Sequence, residues 1–325
     1  MGQQAGRSSG GPIEAGGGVP LGTGSSAAAV LSRAEMPQRV VAAKVDTVTR
    51  LREIWAAREL LVFLVRKELK VRYKNSVLGF LWSFLNPAMI LLIYYVVFQY
   101  IVPNHVPDFA IFLFCGLLPW NLFNTSLLSA AGTLVAHAGI VKKVAFPREV
   151  LALAQVGTAV CYFFFQTCIM VVFLAAFHVL PDWKYLPILF FALVCDVIFS
   201  AAIALLLSAL NVYMRDIEHL IQVVLVALFF AEPIVYTFAG VGAKLAKHHL
   251  TWLYLLNPLT PMVLAFQKCI YGEVQARPGA PLVLALYGHN FFLELLGACL
   301  AASVVLFYVA MRVFRRVEGN FAEEL

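Results

Sequence analysis

Charge is scarce in this sequence. Asp, Glu, Lys and Arg make up 13% of its 325 residues, against roughly 25% in soluble domains, while 62% are hydrophobic and the mean hydropathy is +0.84. A chain this poor in polar side chains cannot cover a water-facing surface, which excludes a soluble globular enzyme and leaves lipid as the expected solvent. Also missing are the nucleotide-cradling GxxxxGK[ST] loop, the HExxH zinc helix and the GxSxG nucleophile turn. No polar stretch is large enough to form a nucleotide-binding domain, so covalent chemistry, including ATP hydrolysis, is not expected of this chain. The six cysteines form no CxxC pair and lie in apolar surroundings with no histidine at ligand spacing. They read as small buried hydrophobes, and no metal site is expected.

What is present is a series of long apolar runs. Roughly 20 apolar residues cross the hydrocarbon as a helix, because each backbone N–H and C=O there must be satisfied within the segment. Such runs, bounded by Pro, Gly or charge, fall at residues 79–102, 109–135, 150–179, 186–212, 217–238 and 291–314, which predicts an all-α integral membrane protein with six transmembrane helices. Between the fifth and sixth, Leu255 to Tyr271 is apolar but short and carries Pro258 and Pro261, and is expected to form a re-entrant helical hairpin on the outer side.

The flanks differ in kind. Residues 1–48 are rich in Gly, Ser and Ala and are expected to be a disordered cytoplasmic tail, unable to bury enough apolar surface to offset the entropy of ordering. Residues 49–78 mix apolar and charged side chains. On a helical wheel Lys67, Lys70 and Lys74 share one side and Leu61, Leu64, Val65 and Leu69 the other, with Glu68 and Arg72 interrupting the apolar stripe as an i,i+4 pair. An amphipathic helix at the membrane interface is expected, with a plain solvated helix as its rival. The transmembrane domain then covers residues 79–314, and residues 315–325 form a short cytoplasmic tail.

Lys and Arg number 24 against 18 Asp and Glu, but they sit between apolar segments and form no long basic face, so no nucleic-acid partner is expected. With the N-terminus inside, Arg66, Lys67, Lys70, Arg72, Lys74, Lys142, Lys143, Arg148, Arg215, Arg312, Arg315 and Arg316 all fall on the inner side, against Lys184, Lys244, Lys247, Lys268 and Arg277 outside. This bias predicts both termini in the cytoplasm.

Five short stretches carry a resemblance. They are RKELKVRYKNSVLGFLWSFLNP at 66–87, IVKKVAFPRE at 140–149, NVYMRD at 211–216, EPIVY at 232–236 and the Asn257–Pro258 pair. In this order and at these depths, over residues from about 60 to the C-terminus, the chain resembles the membrane subunit of ABC-2 type exporters of bacterial cell-surface polysaccharides, such as O-antigen, capsule, teichoic acid and galactan permeases. The resemblance implies a homodimer in the cytoplasmic (inner) membrane, working with two ABC ATPase subunits that carry ATP and Mg2+ while this chain carries no cofactor. The implied cargo is a polyprenyl-pyrophosphate-linked polysaccharide moved from the cytoplasm outward.

Roles follow position by position. Ile140, Lys142, Lys143, Phe146, Pro147, Arg148 and Glu149 join the second and third spans, and by resemblance form the coupling helix that docks on the ATPase; ordinary positive-inside charge is the rival reading. Arg66, Lys67, Lys70, Arg72 and Lys74 suit a pyrophosphate or anionic lipid headgroup through charge-assisted hydrogen bonds. In the second span, Asn121, Asn124 and Thr125 follow Pro119 mostly on one face, beside Trp120 and Phe123. They read either as the lining of a translocation path for hydroxyl-rich sugars or as interhelical glue.

Two acids stand within apolar runs, where an ionised carboxylate costs roughly 2.5–3.5 kcal/mol on insertion scales. Glu232, followed by Pro233, is expected to act with Tyr236, Asn257 and Pro258 in a gating or structural role near the outer mouth. Asp196 receives no role. Three rivals to the polysaccharide exporter remain. A drug or lipid exporter would show a more uniformly apolar path. A polyprenyl-carrier glycosyltransferase would need an acidic pair better than Asp216 and Glu218, and a channel or secondary transporter would show repeats that are absent by eye.

Overall fold

The computed structural model describes residues 47–72, 74, 76, 78–101, 106–144, 146–240, 251–275, 283–284 and 287–324. The expected tail therefore lies outside the described residues except for Thr47 and Val48, as do Lys244, Lys247 and Arg277. Among the described residues all regular structure is helical. Five helices are long and apolar enough to cross a membrane: Trp82–Ile101, Phe109–Ala131, Glu149–Ala176, Trp183–Tyr213 and His289–Glu318. The chain is an all-α, multi-pass membrane protein.

In chain order the elements are α1 (Thr47–Ala56), α2 (Arg58–Arg72), α3 (Trp82–Val96, extended by a widened turn over Val97–Ile101) and α4 (Phe109–Ala131). Two single-turn helices follow, α5 (Thr133–Ala136) and α6 (Ala138–Val141), then α7 (Glu149–Ala176), α8 (Leu186–Tyr213) and α9 (Ile217–Ala231). The chain closes with α10 (Thr251–Leu255), α11 (Leu259–Gln275), α12 (His289–Glu318) and α13 (Phe321–Glu324).

α4 is the hub. Of its spanning window 78% is buried inside the protein, against 11% for the window of α3. Around it pack α7, α8, α11 and α9, while α12 lies along α8. Lipid is as apolar as leucine, so α4 is held by close packing and interhelical hydrogen bonds more than by escape from water. Aromatic rings fill much of that contact. Phe123 of α4 stacks on Phe199 of α8 at 5.6 Å and 11° between planes, and Trp120 meets Phe229 of α9 at 5.5 Å.

The interface segment is two helices, and α2 is docked on protein as well as facing outward. It packs on α7 with Leu64 buried. A Cβ at Gly157 of α7 would come within 2.9 Å of the Val65 side chain, so only glycine permits this approach. Three contacts map α1 and α2 along α7 in register: Arg50 to Glu149, Val65 to Gly157 and Arg72 over the ring of Tyr162 at 4.7 Å. Gly79, at φ +49°, then turns the chain into α3 in a conformation that L side chains rarely adopt.

The region expected to hold the fifth span and the hairpin departs from its outline. α9 has 15 residues and so measures about 22 Å, short of the roughly 30 Å of hydrocarbon. It stops where Pro233 withholds its N–H and Glu232 adopts extended backbone. Pro258 separates α10 from α11, but Pro261 falls in the first turn of α11, where a missing N–H costs nothing, and the helix runs its full 17 residues from Leu259 to Gln275. α11 also ties the loops around it. Tyr271 donates its hydroxyl to the carbonyl of Pro107 ahead of α4, and the carbonyl of Cys269 accepts from the Asp182 N–H at 2.7 Å ahead of α8. The C-terminal segment is folded back, with Phe321 of α13 fully buried against Phe314 and Tyr213.

Candidate functional site

A groove of about 520 Å³ opens between α3, α4 and α7, with the end of α2 at its rim. Its polar lining comes from Arg72, Ser76, Ser83, Asn86, Asn121, Thr125, Tyr162 and Gln166. The two prolines act on this region through the backbone, since Pro87 removes the intrahelical donor for the Ser83 carbonyl and Pro119 that for Cys115. The hydroxyl of Ser83 is buried with no hydrogen-bond partner among the described residues. Asn121 donates to the Gln166 side chain of α7 at 3.0 Å. The wall is thus a set of amides and hydroxyls with one guanidinium, suited to exchanging hydrogen bonds with a polyol and pairing with an anion.

The sequence-predicted residues divide around this groove. Asn121 and Thr125 line it. Trp120 and Phe123 are buried in the aromatic packing of α4, and Asn124 is half-buried outside the lining. Of the interface cations, Arg72 lines the groove, and Arg66, Lys70 and Lys74 are exposed. Lys67 reaches the Nε2 of His137 at 3.1 Å, whose Nδ1–H faces the Thr133 carbonyl at 2.9 Å; with Nδ1 donating, Nε2 is free to accept from the ammonium.

The turn expected to couple to an ATPase has an exposed and a buried side. Ile140, Lys142, Lys143 and Val144 are exposed, Phe146, Pro147 and Arg148 half-buried, and Glu149 fully buried at the first turn of α7. Glu149 is met there by a residue that sequence reading left unremarked. Arg50 of α1 donates Nε to Glu149 Oε1 at 2.9 Å and Nη2 to Oε2 at 3.0 Å, a two-pronged pairing of guanidinium with carboxylate. The same guanidinium reaches Glu318 at the end of α12 at 2.7 Å and Glu53 at 2.9 Å. Burial costs the Arg50 cation hydration, but Glu149 and Glu318 outweigh this and hold its pKa above the ordinary arginine value. Arg148 closes the circuit, donating to the Glu318 carbonyl at 2.6 Å and lying 5.9 Å from the Phe321 ring. Besides the local i,i+3 pair with Glu53, the partners of Arg50 are 99 and 268 residues away, beyond the reach of any local pattern.

Past the end of α9 the structure brings Glu232 and Asn257 together. The fully buried Glu232 carboxylate accepts from the Asn257 amide and, at 3.0 Å, from the Thr260 hydroxyl. Gln267 donates to the Pro233 carbonyl at 2.7 Å. Tyr236 turns its hydroxyl onto the Ala231 carbonyl at 2.9 Å, satisfying an orphan acceptor at the end of α9, and meets the Tyr254 hydroxyl at 2.9 Å. Thr260 and Gln267 escaped sequence reading, although a seven-residue spacing of polar side chains on one helix face was the available signal. Asp196, also fully buried, accepts from Ser200 of its own helix at 3.3 Å.

A hub helix with a polar groove, a charged turn between α4 and α7 and a broken segment after α9 thus mark this multi-pass membrane bundle. The chain belongs to the ABC-2 type transporter family, whose pattern matches residues 59–271. Among its relatives is the O-antigen export system permease protein RfbA of Myxococcus xanthus, 32% identical over 275 residues, covering 85% of this chain and 98% of that one. RfbA of Klebsiella pneumoniae is 29% identical over 267 residues, 82% of this chain and 95% of its own. The polysialic acid transport protein KpsM of Escherichia coli is 25% identical over 206 residues, 62% and 76% of the two chains.

Proposed function

We propose that this chain is the membrane-spanning subunit of an ATP-driven exporter that moves a polyprenyl-pyrophosphate-linked polysaccharide from the cytoplasm to the outer side of the inner membrane. The observation that carries this reading is the groove in which Arg72 meets Ser83, Asn86, Asn121, Thr125 and Gln166. A guanidinium at its rim suits a pyrophosphate, and the amides and hydroxyls suit sugar units. The names of the RfbA and KpsM relatives point to the same cargo class.

In this reading two copies pair in the membrane, both termini lie in the cytoplasm, and α9 with its outer continuation supplies the sixth crossing. Two separate ATPase subunits bind ATP and Mg2+ and engage the turn bearing Lys142 and Lys143. The carrier enters beside α2, and closure of the ATPase subunits moves the spans so that the polymer passes outward. The chain itself hydrolyses nothing; it binds, orients and yields.

The test joins a pull-down to a block of the groove. Detergent-solubilised protein should bring down a Walker-motif ATPase in equal amount, and a strain lacking the chain should accumulate carrier-linked glycan on the cytoplasmic side. Asn121→Trp, which fills the groove, should reproduce that accumulation while leaving the complex with the ATPase intact. Recovery of the protein alone, or full export by Asn121→Trp, would overturn the reading.

A further inference from the structure

We propose that Arg50 is a positioning residue for transport, locking the coupling turn to the end of α12 so that motion received at Lys142 and Lys143 drives the last membrane helix as well as α7. The inference rests on the reading that this turn receives the ATPase, and adds the route by which its motion leaves.

The geometry argues for a three-way lock. Glu149 begins α7 immediately after the coupling turn, is fully buried, and is gripped on both oxygens by Arg50. The remaining donors of the same planar group hold Glu53 and Glu318. A lysine ammonium is a point charge and cannot present this fork to three carboxylates in one plane. On the far side, Arg148 of the coupling turn grasps the main chain of Glu318, and the C-terminal segment is held by buried Phe321 and by the Tyr213 hydroxyl on the Val317 carbonyl at 2.8 Å. Since α12 lies along α8, a displacement of the turn reaches α7, α12 and, through α12, α8. The C-terminal residues from Arg315 on, expected as a short tail, thereby become part of the transmission.

The experiment compares ATP hydrolysis with glycan export in vesicles containing the whole complex. Arg50→Ala should still bind the ATPase and hydrolyse ATP at close to the normal rate, yet export roughly three- to thirtyfold less glycan per ATP, the range expected when a coupling contact is cut. Arg50→Lys should recover part of the loss, which a packing defect alone would not predict. Equal falls in hydrolysis and export, or no change in either, would overturn the proposal. Should Arg50→Ala fail to accumulate, distance measurements in the otherwise native chain decide: probes introduced as unnatural amino acids at Arg52 and Arg316 should keep one separation with and without ATP, and a change of separation refutes the lock. Lys142→Glu combined with Lys143→Glu separates the two readings. If that variant exports normally, the assignment of the coupling turn fails; if it is impaired while Arg50→Ala is fully coupled, only the lock fails.

Discussion

Two glutamates among the described residues are wholly removed from solvent, and they are satisfied in opposite ways. Glu149, at the start of α7, faces the guanidinium of Arg50; Glu232, at the end of α9, faces the neutral donors of Asn257 and Thr260. An ion pair holds direction and distance tightly, and it is costly to break from one side because the survivor is left charged and dry. Neutral donors hold a carboxylate while also tolerating an uncharged replacement, because an amide oxygen accepts in the same place. The Glu149 site is thus built to stay as it is, and the Glu232 site to accept a change of charge.

The largest expected effect breaks the comparison at Glu149. Glu149→Ala strands Arg50 and should cost about 3–5 kcal/mol of stability, the range for one lost partner of a buried pair. It would be read as a large fall in the thermal unfolding midpoint of the purified protein. Next comes the contrast itself. Glu149→Gln should lose about 1.5–3 kcal/mol, the worth of a hydrogen bond to a charged group, whereas Glu232→Gln should lose less than about 1 kcal/mol because its one oxygen still accepts from Asn257 and its new N–H can donate to the Thr260 hydroxyl, which accepts as well as donates. Equal losses in the same unfolding assay would erase the distinction drawn here. The smallest effect is that of Tyr236→Phe, which removes the hydroxyl from the Ala231 carbonyl and should cost about 0.5–1.5 kcal/mol. Its check is faster amide hydrogen exchange confined to the last turn of α9.

Legibility in the sequence followed the range of the forces involved. Long apolar runs are local and additive, so the cores of α3, α4, α7, α8 and α12 stood out, as did the charged turn between α4 and α7. The end of α9 did not, because Ile234, Val235 and Phe238 resume the apolar run past Glu232 and Pro233, and hydropathy averaged over a span is blind to the break those two impose. In the groove, Asn121 and Thr125 were visible as polar residues in a span, while Asn86 and Gln166 lay in runs whose apolar average hid them. Arg50 was out of reach for another reason: its importance lies wholly in partners from α7 and α12, and no local pattern encodes a meeting across so much chain.

The shortness of α9 has a consequence for the bilayer itself. Its exposed residues Leu220, Val223, Val226 and Phe230 are apolar and suit acyl chains, yet the helix ends about 8 Å before the hydrocarbon does. Hydrophobic mismatch of this size is relieved by thinning the lipid or by substituting protein for it. Here Tyr236 bonds to Tyr254 and to the last carbonyls of α9, and Asn257 to Glu232, so polar side chains stand where a longer helix would have carried its own backbone bonds. A bilayer that α9 entered would therefore meet, past its last turn, a hydrogen-bonded protein edge in place of further apolar helix.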